Sequence, residues 1–319
     1  MIRFLCGAVL AAVASAAAAQ AYPSKPVRLI VPFPGGSTPD TVARTLGQKL
    51  NEAWAQPIVV ENKTGAGGNI GTAEAAKSAP DGYTLVIGIN GPIAVNKALY
   101  QNLPYDPEND LQPISLLAVG AQMLAIHPSV PASNLKEFVE YARKNPGKIA
   151  YGSVGAGSGS HLTMELFRSQ AKIDMVHVPY RGFPPVVQDL LSGNLQATFA
   201  IIPAVLPNVT AGKLKGIAVT SERRSELAPH VPTVAEQGFP RFDATVWIGL
   251  LAPAGLPKDV LDKIAGETQK AMAEPEVRNR LVGAGFEVVG GTPEQFARFI
   301  KSETAKWTEI VRLTGAKAD

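Results

Sequence analysis

"LIVPFPGGSTPD", residues 29–40, begins as a buried strand and ends as something else. Leu29, Ile30, Val31 and Phe33 make four of its first five residues apolar; Gly35, Gly36, Ser37 and Thr38 then follow without a break. The next stretch, "TPDTVARTLGQKLNEAW", reads as a helix. Thr38 is its N-cap candidate, Pro39 stands at the first helical position and Asp40 falls in the first turn. Val42, Leu46, Leu50 and Trp54 recur at helical spacing and give it an apolar face. A strand that stops on a permissive polar loop and enters a helix opens a βαβ unit, and therefore a parallel sheet.

The same alternation continues outward. "PIVVEN" is a second strand, "GAGGNIGTAEAAKSA" a glycine loop entering a short helix, and "YTLVIGI" a third strand after the turn signal "PDG" at 80–82. Near 116–127, "LLAVGAQMLAIHP" reads as one long strand or a pair, and the pattern restarts. "NLKEFVEYARKNP" is an amphipathic helix with Leu135, Phe138, Val139 and Ala142 on one side. "KIAYGSVGAGSGSHLTMELFRSQ" is again strand, Gly/Ser loop and helix. Strands at "MVHVPY", "LQATFAII", "LKGIAVTS" and "ATVWIGLLAP" follow, with a helix at "PPVVQDLLSGN", and the remainder is helical. The late helices have no sheet of their own and are expected to pack back on the first block. The chain then crosses between two blocks twice, near 120–126 and 243–250, which makes a hinged cleft. The expected fold is α/β with two lobes. Lobe 1 is discontinuous, 22–122 plus 246–319, and lobe 2 is 123–245.

Composition narrows the function classes. Arg3, the apolar run from Phe4 to Ala19 and the small-x-small Ala19-Gln20-Ala21 predict a secretory signal over 1–21. That run is short for a membrane span. The only cysteine, Cys6, lies within it, so the mature chain has no thiol chemistry and no disulfide. Without Arg3 there remain 29 Lys and Arg against 27 Asp and Glu, a net charge of +2, scattered singly. No basic stripe suggests nucleic acid or a membrane surface. The four histidines, at 127, 161, 177 and 230, form no metal-ligand pair. "GAGGNIG" (65–71) follows the second strand and lacks the acidic partner of a dinucleotide fingerprint. No Walker A sequence occurs, and neither "AGSGS" nor "GGSTP" completes a Gly-x-Ser-x-Gly elbow. No metal or cofactor is expected.

In an α/β sheet, ligands bind beyond the carboxyl ends of the strands. A helix starting there directs free N–H groups and about half a positive charge at the ligand. Ser37 and Thr38 in one loop, and Ser158 and Ser160 in the other, would add hydroxyls from opposite walls. Taken singly, each loop is an ordinary turn with a helix cap; a matched pair on two blocks favours an anion cradle. His161 is read as a cap or a ligand donor, and His177 as a packed, hydrogen-bonded strand residue. Trp247 is core or cleft wall. Asp40 is expected chiefly to fix its own loop, because a carboxylate repels an anion.

Together with "ENKTGAGGNIG", "APDGYTLVIG", "LPYDPENDLQPISLL", "NPGKIAYGSVGAGSGSHL", "DMVHVPYRG", "GKLKGIAVTSERRS" and "WIGLLAPAGLPKDV", the opening stretch resembles the solute-binding proteins of tripartite tricarboxylate transporters, the Bug family. The resemblance runs almost end to end. It implies a type II periplasmic-binding-protein fold and a periplasmic receptor that closes on a small organic carboxylate: a di- or tricarboxylate, an amino acid or an aromatic acid. It also implies delivery to a permease with a large and a small membrane subunit. A monomer is expected, with no nucleic-acid partner. Carried over, the first-lobe loop runs from Phe33 to Asp40, including Gly36, Ser37 and Thr38. The second-lobe loop runs from Ser153 to His161, including Gly157 and Ser158. Gly67, Gly68, Asn90, Tyr180, Arg181 and Gly182 match other cleft-lining segments. Ala200 stands where the family commonly has aspartate, which argues against an amino-acid ligand. The alternatives are an enzyme on the same fold, for which Ser158 with His161 is the only candidate pair, and a ligand sensor for a signalling partner.

Overall fold

The computed structural model describes residues 22–155, 157–240 and 242–314, so the signal expected over 1–21 lies outside the described residues. In chain order the first strands and helices are β1 (Val27–Val31), α1 (Thr38–Trp54), β2 (Ile58–Asn62), α2 (Asn69–Ala76) and β3 (Thr84–Ile89). A π turn over Gly91–Val95 runs into the short α3 (Asn96–Leu99), and β4 (Leu111–Gly120) and β5 (Gln122–Ile126) follow. The middle of the chain forms α4 (Leu135–Lys144), β6 (Ala150–Ser153), α5 (Gly159–Ala171), β7 (Val176–Pro179), α6 (Phe183–Ser192), β8 (Ala197–Ile201), α7 (Ile202–Thr210) and β9 (Lys215–Val219). It ends with β10 (Val246–Pro253), α8 (Lys258–Ala273), α9 (Pro275–Gly283), β11 (Glu287–Val288) and α10 (Pro293–Thr314).

Two sheets result. The first has the order β11-β4-β10-β3-β1-β2 and the second β7-β6-β8-β5-β9. β1 is parallel to β2 and β3, and β6 is parallel to β7 and β8. In each sheet a later or earlier strand returns antiparallel: β10 against β3 and β4, β5 against β8 and β9. The ambiguous run at 116–127 is therefore a pair of strands, and a single residue, Ala121, separates the end of one sheet from the start of the other. The chain returns to the first sheet at Val246.

The parallel strands are apolar because helices cover both faces. Side chains alternate along β1, so Val27, Leu29 and Val31 join Val42, Leu46 and Leu50 of α1 while Ile30 joins the cluster on the other face. The late helices do pack on the first sheet: α8 lies against α1 and β4, and α10 against β4 and the π turn. Gly249 in β10 is what lets α10 approach. A Cβ there would sit 2.1 Å from Cζ of the buried Phe296. Trp247 is core: it is fully buried and its indole Nε1 donates to Glu303 Oε2 at 3.0 Å.

One boundary differs from the sequence expectation. Ser37, not Thr38, is the N-cap of α1, with an extended backbone (φ −71°, ψ 164°), so Pro39 moves to the second helical position. Proline fixes only its own φ and removes an N–H that the first turn leaves unpaired anyway, so either position accommodates it.

Candidate functional site

The carboxyl ends of β1, β2 and β3 release three loops, at 32–37, 63–68 and 90–95, on one edge of the first sheet. The ends of β6 and β7 release two more, at 154–158 and 180–182, on one edge of the second. These loops carry Phe33, Gly36, Ser37, Gly67, Gly68, Asn90, Gly157, Ser158, Tyr180, Arg181 and Gly182, and the strand end and helix starts that flank them carry Ser153, Thr38, Asp40, Ser160 and His161.

In the first loop Asp40 does structural work. Its Oδ2 accepts from the Gly36 N–H and from Arg44 Nε, both at 2.9 Å, and its Oδ1 accepts from Asn62 Nδ2 at 2.9 Å. Asn62 Nδ2 also donates to the Phe33 carbonyl at 2.9 Å, tying the loop to the neighbouring strand. Burial alone would raise the Asp40 pKa, but Arg44, the Gly36 amide and Asn62 outweigh it and hold the carboxyl below its ordinary value. Gly36 takes φ +78°, a conformation few other residues tolerate, and so presents its amide to Asp40. With the Asp40 carboxylate occupied, the donors left over are the N–H groups of Gly35, Thr38 and Asp40, which have no partner among the described residues. Ser37 adds a hydroxyl: its Oγ is buried, caps nothing and has no hydrogen-bond partner.

The second loop holds itself together. Ser158 Oγ donates to the Gly155 carbonyl at 2.6 Å and accepts weakly from the His161 N–H, and the Val154 N–H donates to Ser160 Oγ at 3.1 Å. The Gly157 N–H donates to His161 Nδ1 at 3.1 Å. Below the loop the rings of Tyr151, His177 and His161 stack, with centroids 4.9 and 4.2 Å apart, and Ser153 Oγ lies 2.6 Å from His177 Nε2. Burial lowers the pKa of His161, and burial together with the adjacent His161 pushes His177 down to about 4. Both imidazoles are neutral at neutral pH and add no charge to the loop.

The loops meet. Phe33 and Pro92 enclose Gly68, where a Cβ would lie 3.0 Å from Phe33 Cζ and 2.7 Å from Pro92 Cγ. A Cβ on Gly91 would lie 3.1 Å from the Gly157 carbonyl oxygen and 3.8 Å from that of Gly67. A Cβ on Gly155 would lie 3.8 Å from the Tyr180 carbonyl oxygen. Phe33, Gly67, Gly68 and Gly157 thus share one neighbourhood, with Tyr180 to Gly182 beside the second loop. Arg181 is exposed and makes no ion pair or hydrogen bond among the described residues. Two other residues are engaged elsewhere. Asn90 accepts from the Trp247 N–H at 3.1 Å and donates to the Thr245 carbonyl and Glu303, so its amide is spent on the strand entering the first sheet. Tyr180 donates its hydroxyl to Asp189 Oδ2 at 2.5 Å; burial, then that carboxylate, pushes its pKa up to about 12. Ala200 is fully buried with Val186, Leu190 and Val205, under α6 and α7.

Sequence reasoning missed Asn62, whereas His177 is the packed, hydrogen-bonded strand residue it was read to be. Asn62 was findable, since it ends a strand parallel to β1 at the same sheet edge. Two surface depressions, of about 390 Å³ beside Arg44 and Gln48 and about 490 Å³ beside Tyr100 and Tyr105, contain no residue of either Gly/Ser loop. The arrangement is a neutral cradle of main-chain donors with one idle hydroxyl, suited to an anion; the Ser153–His177 pair lies beneath it, with Ser153 fully buried. Among the described residues no cluster could hold a metal ion.

Residues 42–316 match the family described as the tripartite tricarboxylate transporter family receptor. The chain belongs to that family. It is 37% identical to Protein BugT of Bordetella pertussis over 310 residues, which is 96% of this chain and 94% of BugT. Among solved structures, it superposes with a TM-score of 0.84 on an R. palustris protein holding adipate, at 32% identity over 93% of this chain and all of that one. MatC of Rhodopseudomonas palustris with bound malate gives a TM-score of 0.82 at 31% identity, over 91% of this chain and all of MatC. The expected two-lobed binding-protein fold and family stand, and the family is one of receptors rather than enzymes.

Proposed function

We propose that this family receptor captures a small organic carboxylate, a di- or tricarboxylate or an aromatic acid, between its two loops and hands it to a tripartite permease with a large and a small membrane subunit. It would act in the periplasm as a monomer, with lobes formed by 22–122 plus 246–319 and by 123–245. The observation that carries this reading is the Ser37 hydroxyl, buried at the start of α1 without a partner and beside three unpaired N–H groups. The two oxygens of a carboxylate offer about four acceptor sites for these donors, and the helix start favours its charge. Facing it, the amides at the start of α5 would take the same group, with Gly157 and Ser158 shaping the loop and His161 bracing it. Phe33 and Gly67 would form the apolar and main-chain floor. Arg181 would reach a second anionic group at the far end of the ligand. Asp40, Asn90 and Tyr180 would position rather than touch. The adipate and malate held by two relatives support a dicarboxylate first.

A thermal-shift screen of the mature protein against dicarboxylates, citrate-like acids, aromatic acids and amino acids tests this. At 100 times its dissociation constant a ligand adds about 2.7 kcal/mol, which is a shift of several degrees. Ser37→Ala should then weaken the best acid about tenfold, the worth of a charge-assisted hydrogen bond. A protein that binds no acid in any class would defeat the reading.

A further inference from the structure

Where the two lobes touch, one buried polar atom is left without a hydrogen bond. Gly91 opens the π turn of the first lobe and faces Gly157 of the second, with the 3.1 Å separation given above between a Cβ on Gly91 and the Gly157 carbonyl oxygen. Beside them stands Asn96, the first residue of α3 and only 1% exposed. Its Nδ2 donates to Asn69 Oδ1 at 2.5 Å, and Tyr105 donates to the same oxygen, so this end is anchored inside the first lobe. Its Oδ1 is buried and has no partner. That oxygen points at the contact: it lies 3.5 Å from where a Cβ would stand on Gly91, and 3.5 Å from where one would stand on Gly157.

A buried acceptor without a donor carries its full desolvation cost, whereas the same acceptor in water does not. Separating the lobes would uncover Asn96 Oδ1. We infer that Gly91, Asn96 and Gly157 form a closure stop with a built-in penalty. The glycines set how near the lobes come, and the stranded Asn96 oxygen biases the empty receptor toward the open form. The ligand must then supply the free energy of closure by binding the closed state better than the open one. A receptor biased in this way releases its lobes when the ligand leaves. The stop rests on the two-lobed arrangement alone and not on which acid fills the cleft.

Two substitutions move the equilibrium in opposite directions. Gly91 has no left-handed φ, so Gly91→Val strains nothing within its own turn through that route and meets the second lobe instead. Asn96→Leu keeps the volume and removes the stranded oxygen. It also removes the bond to Asn69, but that bond is internal to the first lobe and is lost equally in both forms. The mature chain has no cysteine, so Lys77→Cys in the first lobe and Lys144→Cys in the second, both exposed, accept a pair of spin labels cleanly. Distance distributions are measured on the empty, labelled protein. Asn96→Leu should raise the short-distance population relative to the long one by about fivefold or more, and Gly91→Val added to Asn96→Leu should remove that gain and lengthen the interlobe distance again. An Asn96→Leu distribution that is unchanged or shifted to longer distances overturns the inference, as does a folded Gly91→Val/Asn96→Leu protein that keeps the Asn96→Leu distribution. If Gly91→Val does not fold, Asn96→Leu decides alone. An acid screen with no hit would sink the carboxylate reading and leave this result standing.

Discussion

Replacing Asp40 with alanine separates a residue that holds the loop from one that holds the ligand. Three bonds are lost: from the Gly36 amide, from Asn62 and from Arg44. The Arg44 side chain is 51% exposed, so its ion pair is screened and contributes little. The other two are shielded bonds to a charged acceptor, worth about 1.5 kcal/mol each, or about 3 kcal/mol together. For a protein of this size that is a drop in melting temperature of about 6 °C. Because the folded pKa of Asp40 lies below its unfolded value, its contribution is complete above the unfolded pKa, about 3.9, and fades as pH falls through the folded one. Calorimetry at neutral pH should therefore show the full gap between parent and Asp40→Ala, and titration into strong acid should close it. Ligand affinity should fall as well, since an untethered loop must be reordered on binding. A variant that melts within 1 °C of the parent yet no longer binds would refute this reasoning, because Asp40 would then be contacting the ligand itself.

Three further outcomes follow from the packing and the titrations. Protonation of His177 is disfavoured in the folded protein, at about 4 against about 6.5 unfolded, so stability should decline as pH falls from about 6.5 to about 4 and then level; His177→Gln, which can still bond Ser153, should flatten that decline in urea denaturation. Gly249→Ala forces a methyl against the Phe296 ring and should cost about 3 kcal/mol, seen as a lowered midpoint in urea denaturation. Glu303→Leu strands the indole donors of Trp247 and Trp307, leaves the Asn90 amide with the Thr245 carbonyl alone, and removes the carboxylate paired with Lys306. It should lower the unfolding free energy by about 3 kcal/mol or more by chemical denaturation.

Much of the framework was readable from residue pattern alone, because it rests on local rules. The helix drawn over 38–54 has those bounds in the structure, and the strands at 58–62 and 84–89 fall within their expected stretches. The cap shifted by one because Ser37 and Thr38 both qualify, and the choice is settled by the backbone of the turn rather than by residue type. The π turn over Gly91–Val95 had no signature, since its shape is imposed by packing against α10. Roles within the site were less legible than membership. Nothing local in the sequence says that Asn90 spends its amide on Thr245 and Trp247, both more than 150 residues away, or that Tyr180 is committed to Asp189. Ser37 was singled out for a generic hydroxyl; that its oxygen lacks a partner is a property of the assembled loop.

The position of β10 between β3 and β4 also orders assembly in time. The second sheet is drawn from one unbroken stretch, 122–219, and can form as soon as that stretch is available. The first sheet cannot. Its strands up to Gly120 come early, but the strand that joins β3 to β4 lies at 246–253 and must wait while residues 121–245 are made. Throughout that interval β3 and β4 each present an unpaired, largely apolar edge, the kind of surface that recruits other chains. A growing chain that ends before about residue 253 thus lacks the strand that covers both edges.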